Sequence, residues 1–221
     1  MVFFTNILGL PRGELRVIER FVKPGNTVFD VGAHVGQWSS HALKTAADIE
    51  LFSFEPTPKT FEQLKKNIPA PNVRMFNIAM GKDDGLADFI CYETEISHSS
   101  FWHWKQQAKP QTISVQVRSL DSFCAEHRIR SIDLLKIDTE GAEFFVLSGA
   151  KRMLEARRIK IIQFEYTDHP EDNLERLYNL LMSYGFAIYK IGKNKGLCPI
   201  KKWHKSLENH KYSNFLAILR D

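Results

Sequence analysis

Short apolar runs alternate with longer segments of helical spacing along most of the chain after residue 25. The runs are rich in β-branched and aromatic residues, which is typical of strands that are buried on both faces of a sheet. The predicted strands are "NTVFDV", "IELFSFEP", "VRMFNIAMG", "IDLLKID", "IKIIQFEY", "FAIYKI" and "NFLAILR". The predicted helices between them are "GQWSSHALKTAA", "TPKTFEQLKKNI", "AEFFVLSGAKRMLEA" and "DNLERLYNLLMSYG".

Local signals support several of these helix ends. Thr57 stands directly before Pro58, an order typical of an N-cap followed by the first helical residue. Gly185 follows the last predicted helix, where a glycine commonly ends a helix in a left-handed conformation. Alternating strands and helices predict a mostly parallel sheet with helices on both faces. The last two strands lack a helix between them, so one of them can run antiparallel.

A stretch between the third and fourth strands contains strand-like pieces but no long helix. We therefore expect one doubly wound α/β domain over residues 1–221, with a seven-stranded sheet and a cap inserted at residues 86–118. Residues 1–25 are expected to form an N-terminal helical segment. The cap carries "SHSSFWHW", whose aromatic residues either form a lid above a site or anchor the cap. The basic stretch "KNKGLCPIKKWHK" is expected to be a solvated loop, with contact to an anionic partner as the alternative.

The charge, the cysteines and the lengths of the apolar stretches disfavour several classes of function. The net charge is only +4, which by itself does not favour nucleic acid as a partner. The three cysteines are far apart and form no CxxC pair, so they indicate free thiols in a reducing compartment rather than a zinc site. No apolar stretch is long enough for a membrane span. We expect a cytoplasmic protein.

Acidic residues stand at the carboxyl ends of most predicted strands, which is where open α/β sheets bind ligands. These positions are Asp30, Glu55 (followed by Pro56), Asp138 (followed by Glu140 and Glu143) and Glu165 (followed by Asp168 and His169). Each acid alone could be a helix cap or part of a loop salt bridge, and Glu140 and Glu143 are expected to cap a helix. Together they predict a ligand that is cationic or rich in hydroxyl groups, because clustered carboxylates are costly without one. A divalent cation could also be held there, although the spacing does not require it.

The loop after the first strand reads D-x-G-x-x-x-G, with Asp30, Gly32, His34 and Gly36. A dinucleotide fold would favour G-x-G-x-x-G, so a nicotinamide cofactor is disfavoured. The glycines indicate close approach of either a ligand or another part of the protein. Glu55, at the end of the next strand, is where a carboxylate accepts hydrogen bonds from ribose hydroxyls.

Several segments in this order resemble the FkbM family of S-adenosylmethionine-dependent methyltransferases, over about Asn26 to Ile191. The segments are "FDVGAHVGQWS", "FSFEPTPKTFEQLKKN", "FNIAMG", "VQVRSLDSF", "IDLLKIDTEGAEFFVLSGA" and "IIQFEY". The blocks K-I-D-x-E-G-A-E and F-E-P are the most specific of them. His34 departs from the asparagine that the family usually has at that position. The resemblance implies a Rossmann-like class I methyltransferase fold with S-adenosyl-L-methionine as the cofactor.

The resemblance also implies roles for individual residues. Asp30 and the loop from Gly32 through His34 to Gly36 would bracket the amino-acid end of the cofactor. Glu55 would hold the ribose, and Ile78, Ala79 and Met80 would line the adenine. Ser99, in a serine pair with Ser100, would contact the cofactor or the substrate. Asp138 would lie near the sulfonium or the methyl acceptor.

Methyl transfer to a hydroxyl requires alignment of the reacting atoms and removal of a proton. Asp138, Glu165 and His169 are the candidate catalytic residues. We expect O-methylation of a small molecule or glycan precursor. The alternatives are an N- or RNA methyltransferase and a non-catalytic module that binds S-adenosylmethionine. An RNA enzyme would usually carry an N/D-P-P-Y-type loop or a further RNA-binding domain, and the sequence contains neither.

Overall fold

The structure is a computed structural model that describes residues 10–92, 110–167, 174–192, 196–208 and 212–221. Its helices are α1 (Arg12–Phe21), α2 (Gln37–Thr45), α3 (Pro58–Asn67), α4 (Leu120–Glu126), α5 (Glu143–Ser148), α6 (Lys151–Glu155) and α7 (Leu174–Ser183), with a 3-10 turn at Lys205–Glu208. Its strands are β1 (Thr27–Val31), β2 (Glu50–Phe54), β3 (Val73–Phe76), β4 (Ala79–Gly81), β5 (Gly85–Tyr92), β6 (Pro110–Ser119), β7 (Ile132–Ile137), β8 (Ile159–Thr167), β9 (Phe186–Gly192), β10 (Gly196–Ile200) and β11 (Tyr212–Leu219).

The main sheet has the strand order β10-β9-β11-β8-β7-β1-β2-β3. Strands β3, β2, β1, β7 and β8 run parallel, so their carboxyl ends meet at one edge of the sheet. Strand β11 is antiparallel to both β8 and β9, which confirms the prediction that one of the last strands reverses direction. The predicted doubly wound α/β fold is therefore confirmed.

Two hydrophobic cores lie on the two faces of this sheet, because successive strand residues point to opposite sides. One core joins Val28 of β1 and Leu134 of β7 to apolar residues of α1, α2 and α3. The other joins Phe29 of β1 and Leu135 of β7 to apolar residues of α4, α5, α6 and α7. This alternation decides which strand-end side chains share a face with which helices.

The sheet has eight strands among the described residues, one more than the seven predicted. The additional strand β10 lies in the basic stretch that was expected to be a loop, and it pairs antiparallel with β9. Pro199 lies within β10, and a proline is tolerated there because β10 is an edge strand whose outer side needs no hydrogen-bond partner. The hydrophobic pattern of the sequence therefore did not predict this edge strand.

The predicted third strand "VRMFNIAMG" is two strands in two sheets. Strand β3 ends at Phe76, its last pair with β2, whereas Ala79 begins β4 and pairs with Val117 of β6. Strands β4, β6 and β5 form a separate three-stranded sheet that contains the described part of the predicted insertion. The chain leaves the main sheet at Asn77, whose side chain bonds to the end of β2.

The segment "AEFFVLSGAKRMLEA" was predicted as one helix but forms two, α5 and α6. The break lies at Gly149, where a Cβ atom would overlap the carbonyl oxygen of Gly81 in β4. Asp121 of α4 then caps the second helix, since its carboxylate accepts the backbone N–H groups of Arg152 at 2.7 Å and Met153 at 3.0 Å. Close packing and a cap from another helix together override the continuous helical pattern.

In the described part of the chain, no helix combines the length and the apolar character that crossing a bilayer requires.

Candidate active site

Four buried polar side chains lie side by side across four adjacent strands, three of them next to the carboxyl end of their strand. The strand register aligns Ser53 of β2 with Asp30 of β1, Asp30 with Lys136 of β7, and Lys136 with Gln163 of β8. Each of the four is at most 4% exposed. Each also lies two residues beyond an apolar residue that contacts the α1–α3 core, so all four face that side of the sheet. We call these four residues the polar row.

Lys136 partly compensates the negative charge of two neighbouring acids. Its ammonium group lies 3.0 Å from Asp30 and 3.3 Å from Asp138, and it donates a hydrogen bond to the carbonyl oxygen of Gly32 at 2.9 Å. Burial alone would lower the pKa of Lys136, but the attraction of Asp138 and Asp30 outweighs it and raises the pKa above the ordinary value. Lys136 therefore stays charged and shares its charge between the loop after β1 and the end of β7.

Lys136 was not among the residues predicted for the site, although the sequence contains a signal for it. A lysine inside the apolar strand "IDLLKID" must be buried if the strand is central, and a buried lysine needs anionic partners. The cation that the clustered acids require is therefore supplied in part by the protein itself.

Asp30 lies beneath the loop rather than at its surface. The residue is fully buried, and its second carboxylate oxygen accepts a hydrogen bond of 2.6 Å from Ser39 of α2. Ser39 also lies 2.9 Å from the hydroxyl of Ser53. Because Asp30 is fully buried, with one oxygen beside Lys136 and the other bonded to Ser39, it supports the loop from beneath.

The two glycines of the loop have left-handed backbones, with φ of 74° at Gly32 and 90° at Gly36. A Cβ atom at Gly32 would overlap the carbonyl oxygen of Asp138, and one at Gly36 would collide with Ile68 and Leu64. The close approach that these glycines permit is therefore to other parts of the protein. Of the two explanations that the sequence left open, the structure supports packing for both positions.

His34, between these glycines, also has a left-handed backbone, with φ of 49°. This conformation favours asparagine, which the family usually has there, over most other residues. The His34 backbone N–H donates to Glu55 at 3.0 Å, which ties the loop after β1 to the end of β2. The structure thus brings His34 and Glu55 together.

Glu55 is held with its carboxylate in a defined position. One oxygen accepts the N–H of His34, and the other accepts the N–H of Thr57 at 2.9 Å. Asn77 donates from its side chain to the carbonyl oxygens of Glu55 at 2.8 Å and of Pro56 at 3.0 Å, which fixes the backbone. Each carboxylate oxygen keeps a second lone pair, so Glu55 is suited to accept hydrogen bonds from two neighbouring hydroxyls. Asn77 was not identified from the sequence.

The residues predicted to line the adenine divide into two groups. Ala79 is half-buried, and Ile78 is partly buried against the core on the α4–α7 side. Met80 is only 4% exposed and is part of that core. Ile78 and Ala79 therefore offer accessible surface, whereas Met80 supports them from beneath.

Asp138 lies at the edge of this region with its side chain 33% exposed. Oxygen atoms of Asp138, Glu140 and Glu165 all lie within 4.8 Å of one another. Hard divalent cations use such oxygen ligands, but acidic groups at this spacing are common where no ion binds, so the cluster alone does not define a metal site. The structure thus unites Asp138 and Glu165, two of the predicted catalytic residues.

Glu143 bonds to the turn before α5, but it does not cap that helix as predicted, because the helix begins after Ala142 without a side-chain cap. Its carboxylate accepts the N–H groups of Thr139 at 2.7 Å and Gly141 at 3.0 Å, and the hydroxyl of Thr139 at 2.8 Å. Burial raises the pKa of Glu143, although the bonds from Thr139 oppose that effect. Glu143 therefore organises the turn between β7 and α5.

Glu14 of α1 is a second charged residue that the sequence analysis did not identify. It is 6% exposed, and its carboxylate accepts bonds from Gln163 at 3.4 Å and Asn214 at 3.3 Å. Burial, followed by repulsion from Asp138, raises the pKa of Glu14 to about 7, even though Lys136 opposes the shift. No motif marked Glu14, since its partners lie far away in the sequence.

Several predicted residues lie outside the described part of the chain. They are Ser99, Ser100, Phe101, Trp102, Trp104, Asp168 and His169. Their predicted roles stay predictions.

Comparison with known proteins identifies the family. Residues 30–188 match the family described as "Methyltransferase FkbM domain". The 2-O-methyltransferase NoeI of Sinorhizobium fredii is 30% identical over 185 residues, 75% of this chain and 74% of that protein. The 31-O-demethyl-FK506 methyltransferase FkbM of Streptomyces tacrolimicus is 28% identical over 76% of this chain and 75% of its own. The hexuronic acid methyltransferase AglP of Haloferax volcanii is 24% identical over 73% of this chain and 66% of its own.

Solved structures agree on the fold. An S-adenosylmethionine-dependent O-methyltransferase from Thermotoga maritima aligns with a TM-score of 0.51 at 10% identity, covering 98% of this chain and 69% of that one. A precorrin-6y C5,15-methyltransferase from Geobacter metallireducens aligns with a TM-score of 0.51 at 12% identity, covering 94% and 87%. At these identities the likeness concerns the fold alone. The match over residues 30–188 shows that this chain belongs to the FkbM family of S-adenosylmethionine-dependent methyltransferases.

Proposed function

We propose that the chain is an O-methyltransferase that methylates a hydroxyl group of a small molecule or glycan precursor. The observation that carries the proposal is that Glu55 and Asp138 follow two parallel strands, β2 and β7, at the same edge of the sheet. Glu165 of β8 places a carboxylate oxygen within 4.8 Å of one of Asp138. The names of two relatives support the choice of a hydroxyl acceptor, because NoeI is a 2-O-methyltransferase and FkbM acts on 31-O-demethyl-FK506.

Glu55 is proposed to hold the ribose of the cofactor. Its carboxylate is fixed by two backbone N–H groups, yet each oxygen retains an acceptor site for a hydroxyl. Ile78 and Ala79 follow the neighbouring strand and offer apolar surface for the adenine. Gly32 and His34 are proposed to lie in the loop that borders the amino-acid end of the cofactor. Asp30 supports that loop from beneath.

Asp138 is proposed to border the reacting centre. When bound, S-adenosylmethionine supplies a methyl group on a positively charged sulfur. A carboxylate next to a poorly solvated cation stabilises it, and Asp138 is partly exposed while Lys136 holds its position. Glu165 and His169 are the proposed candidates for accepting the hydroxyl proton or binding the acceptor.

The proposal is tested by a transfer assay with isotopically labelled S-adenosylmethionine. The acceptors are panels of sugars, nucleotide sugars and hydroxylated small molecules, with an amine panel and RNA for comparison. We expect label in an ether-linked methyl group, identified by NMR of the product. Label on nitrogen or on RNA, with none on the hydroxyl panels, would refute O-methylation of a small molecule or glycan precursor.

The role of Asp138 is tested with Asp138→Asn, which preserves shape but removes the charge. We expect kcat to fall by about a hundredfold or more, while the Kd for S-adenosylmethionine changes by less than about tenfold. Asp133→Asn is the matched control, because Asp133 lies at the opposite end of β7, where it bonds to Lys160 and the N–H of Thr27. Unchanged turnover in Asp138→Asn would remove this residue from the mechanism.

A further inference from the structure

Helix α1 places one carboxyl group against the polar row. Glu14 lies in the first turn of this helix, outside residues 30–188 that match the family. Its side chain reaches Gln163 of the polar row and Asn214 of β11, and the residue is almost completely buried. A buried carboxyl group that contacts no cation is costly to ionise, so its protonation responds to the charges around it.

The position of the Glu14 carboxyl group is fixed by neutral amides. Gln163 accepts a hydrogen bond from the indole N–H of Trp38 in α2 at 3.4 Å, which turns its amide nitrogen toward Glu14. Asn214 donates to the other carboxyl oxygen. Neither amide carries a charge, so the protonation of Glu14 depends on the charged groups of the neighbouring strands.

Those charged groups leave an excess of negative charge. Asp30 on β1 and Asp138 after β7 repel the carboxylate form of Glu14, whereas Lys136 attracts it. On strand β8, Glu165 pairs in register with Asn214, and the residues four positions before and after Glu14, Leu10 and Ile18, are apolar. Strand β9 contacts α1 at Gly13 through Ile191 and Gly192. Helix α2 contacts Gln163, the neighbour of Glu14, through Trp38. Among the groups that act on Glu14, Lys136 thus compensates both Asp30 and Asp138, which leaves their summed charge negative.

The carboxylates of Asp30 and Asp138 would therefore stabilise an additional positive charge placed beside Asp138. In the absence of such a charge, burial and the repulsion from Asp138 keep Glu14 partly protonated near neutral pH, with a pKa of about 7. A cation beside Asp138 would offset that repulsion and favour the ionised form of Glu14. S-adenosylmethionine carries a positive sulfur, whereas the product, S-adenosylhomocysteine, has a neutral one.

We propose that Glu14 is a specificity-determining residue that senses the charge of the donor, releasing its proton to solvent when S-adenosylmethionine binds and regaining it when the neutral product occupies the site. The inference rests on the proposed position of Asp138 beside the sulfonium. Glu14 then favours the donor over the product increasingly as pH rises through neutrality, and reprotonation after transfer assists exchange of product for donor.

The inference is tested by calorimetric titration of the full chain with each ligand at pH 6, 7 and 8. Each titration is repeated in buffers that differ in ionisation enthalpy, so that the number of protons released is measured directly. We expect donor binding at pH 7 to release a few tenths of a proton more than product binding. The ratio of donor to product affinity should rise about three- to tenfold from pH 6 to 8.

Two variants on α1 complete the test. Glu14→Gln mimics the protonated carboxyl group and should abolish both the additional proton release and the pH dependence of the ratio. Glu19→Gln, an exposed position on the same helix, should behave as the wild type. Equal proton release for donor and product, or wild-type release in Glu14→Gln, would overturn the inference.

A measurement on the unmodified protein avoids dependence on the variant's folding. Infrared difference spectra of the wild type should lose a protonated-carboxyl band when donor is added, but not when product is added; an unchanged band would also overturn the inference. All of these titrations omit the acceptor. O-methylation can therefore fail in the transfer assay while the charge sensing holds, and the reverse is equally distinguishable.

Discussion

Replacing Lys136 with methionine tests whether the polar row is an electrostatic unit. The ammonium group of Lys136 contacts Asp30 at 3.0 Å, Asp138 at 3.3 Å and the carbonyl oxygen of Gly32 at 2.9 Å, while its side chain is only 5% exposed. In Lys136→Met, Asp30 would stay fully buried, with the hydroxyl of Ser39 still donating to it but no cation beside it. Removing one partner of a buried ion pair typically costs about 3–5 kcal/mol, because the other charge is left without compensation.

We therefore expect Lys136→Met to lower the free energy of unfolding by about 3–5 kcal/mol, a large share of the roughly 5–15 kcal/mol of a typical domain. Urea unfolding at pH 7.5, followed by tryptophan fluorescence and circular dichroism, measures this loss as a shift in midpoint at constant m-value. The control is Lys160→Met on β8, whose ion pair with Asp133 is at the surface, with the lysine side chain 62% exposed. That variant should lose less than about 1 kcal/mol.

The double variant Lys136→Met/Asp30→Asn separates the charge effect from loss of packing. The amide that Asp30→Asn introduces is not charged, and it still offers an oxygen to Ser39, so most of the stability lost in Lys136→Met should return. We expect a coupling energy of at least about 2 kcal/mol in the double-mutant cycle. If Lys136→Met costs no more than Lys160→Met, or if the double variant recovers nothing, Lys136 does not compensate Asp30 and the interpretation of the polar row is wrong.

Two other variants test the carboxyl groups that flank the polar row. Glu14 binds its proton more tightly in the folded chain, with a pKa of about 7, so it lowers stability as pH rises from about 4.5 to 7. In urea unfolding, Glu14→Gln should therefore gain about 3 kcal/mol relative to wild type between pH 4.5 and 8, and a constant difference would contradict the raised pKa. Glu55→Ala should weaken S-adenosylmethionine and S-adenosylhomocysteine equally and by at least about tenfold in calorimetry, because both carry the same ribose. The control is Glu50→Ala, at the exposed start of the same strand; an affinity unchanged in Glu55→Ala would rule out the ribose role.

The order of strands and helices was predictable because buried parallel strands and amphipathic helices leave different periodicities in the sequence. The errors arose where contacts distant in sequence decide local structure. Gly149 ends a helix because β4 packs against it, and β10 exists because β9 offers an edge for pairing. No window of a few residues contains either cause.

The site was partly predictable for the same reason. The acids at the strand ends were found because parallel strands bring their carboxyl ends together, and the structure unites Asp138 with Glu165 as expected. Lys136 and Glu14 were not predicted, because their roles depend on interactions with Asp30 and Asp138, which are close in space but distant in the sequence. The sequence did not decide whether a ligand or another part of the protein approaches the two glycines of the first loop. In the structure, protein atoms lie against both of them.

The buried lysine also has a geometric consequence for the cofactor site. Lys136 holds the carbonyl oxygen of Gly32 and the carboxylate of Asp138, so it connects the loop after β1 to the end of β7. Two residues beyond Gly32, the N–H of His34 holds Glu55. One ammonium group thereby fixes the relative positions of the proposed ribose-binding and methyl-proximal carboxylates. Replacing Lys136 and both of its acidic partners together with apolar residues could preserve stability but not this connection, which is a physical reason for a charged residue at the centre of the sheet.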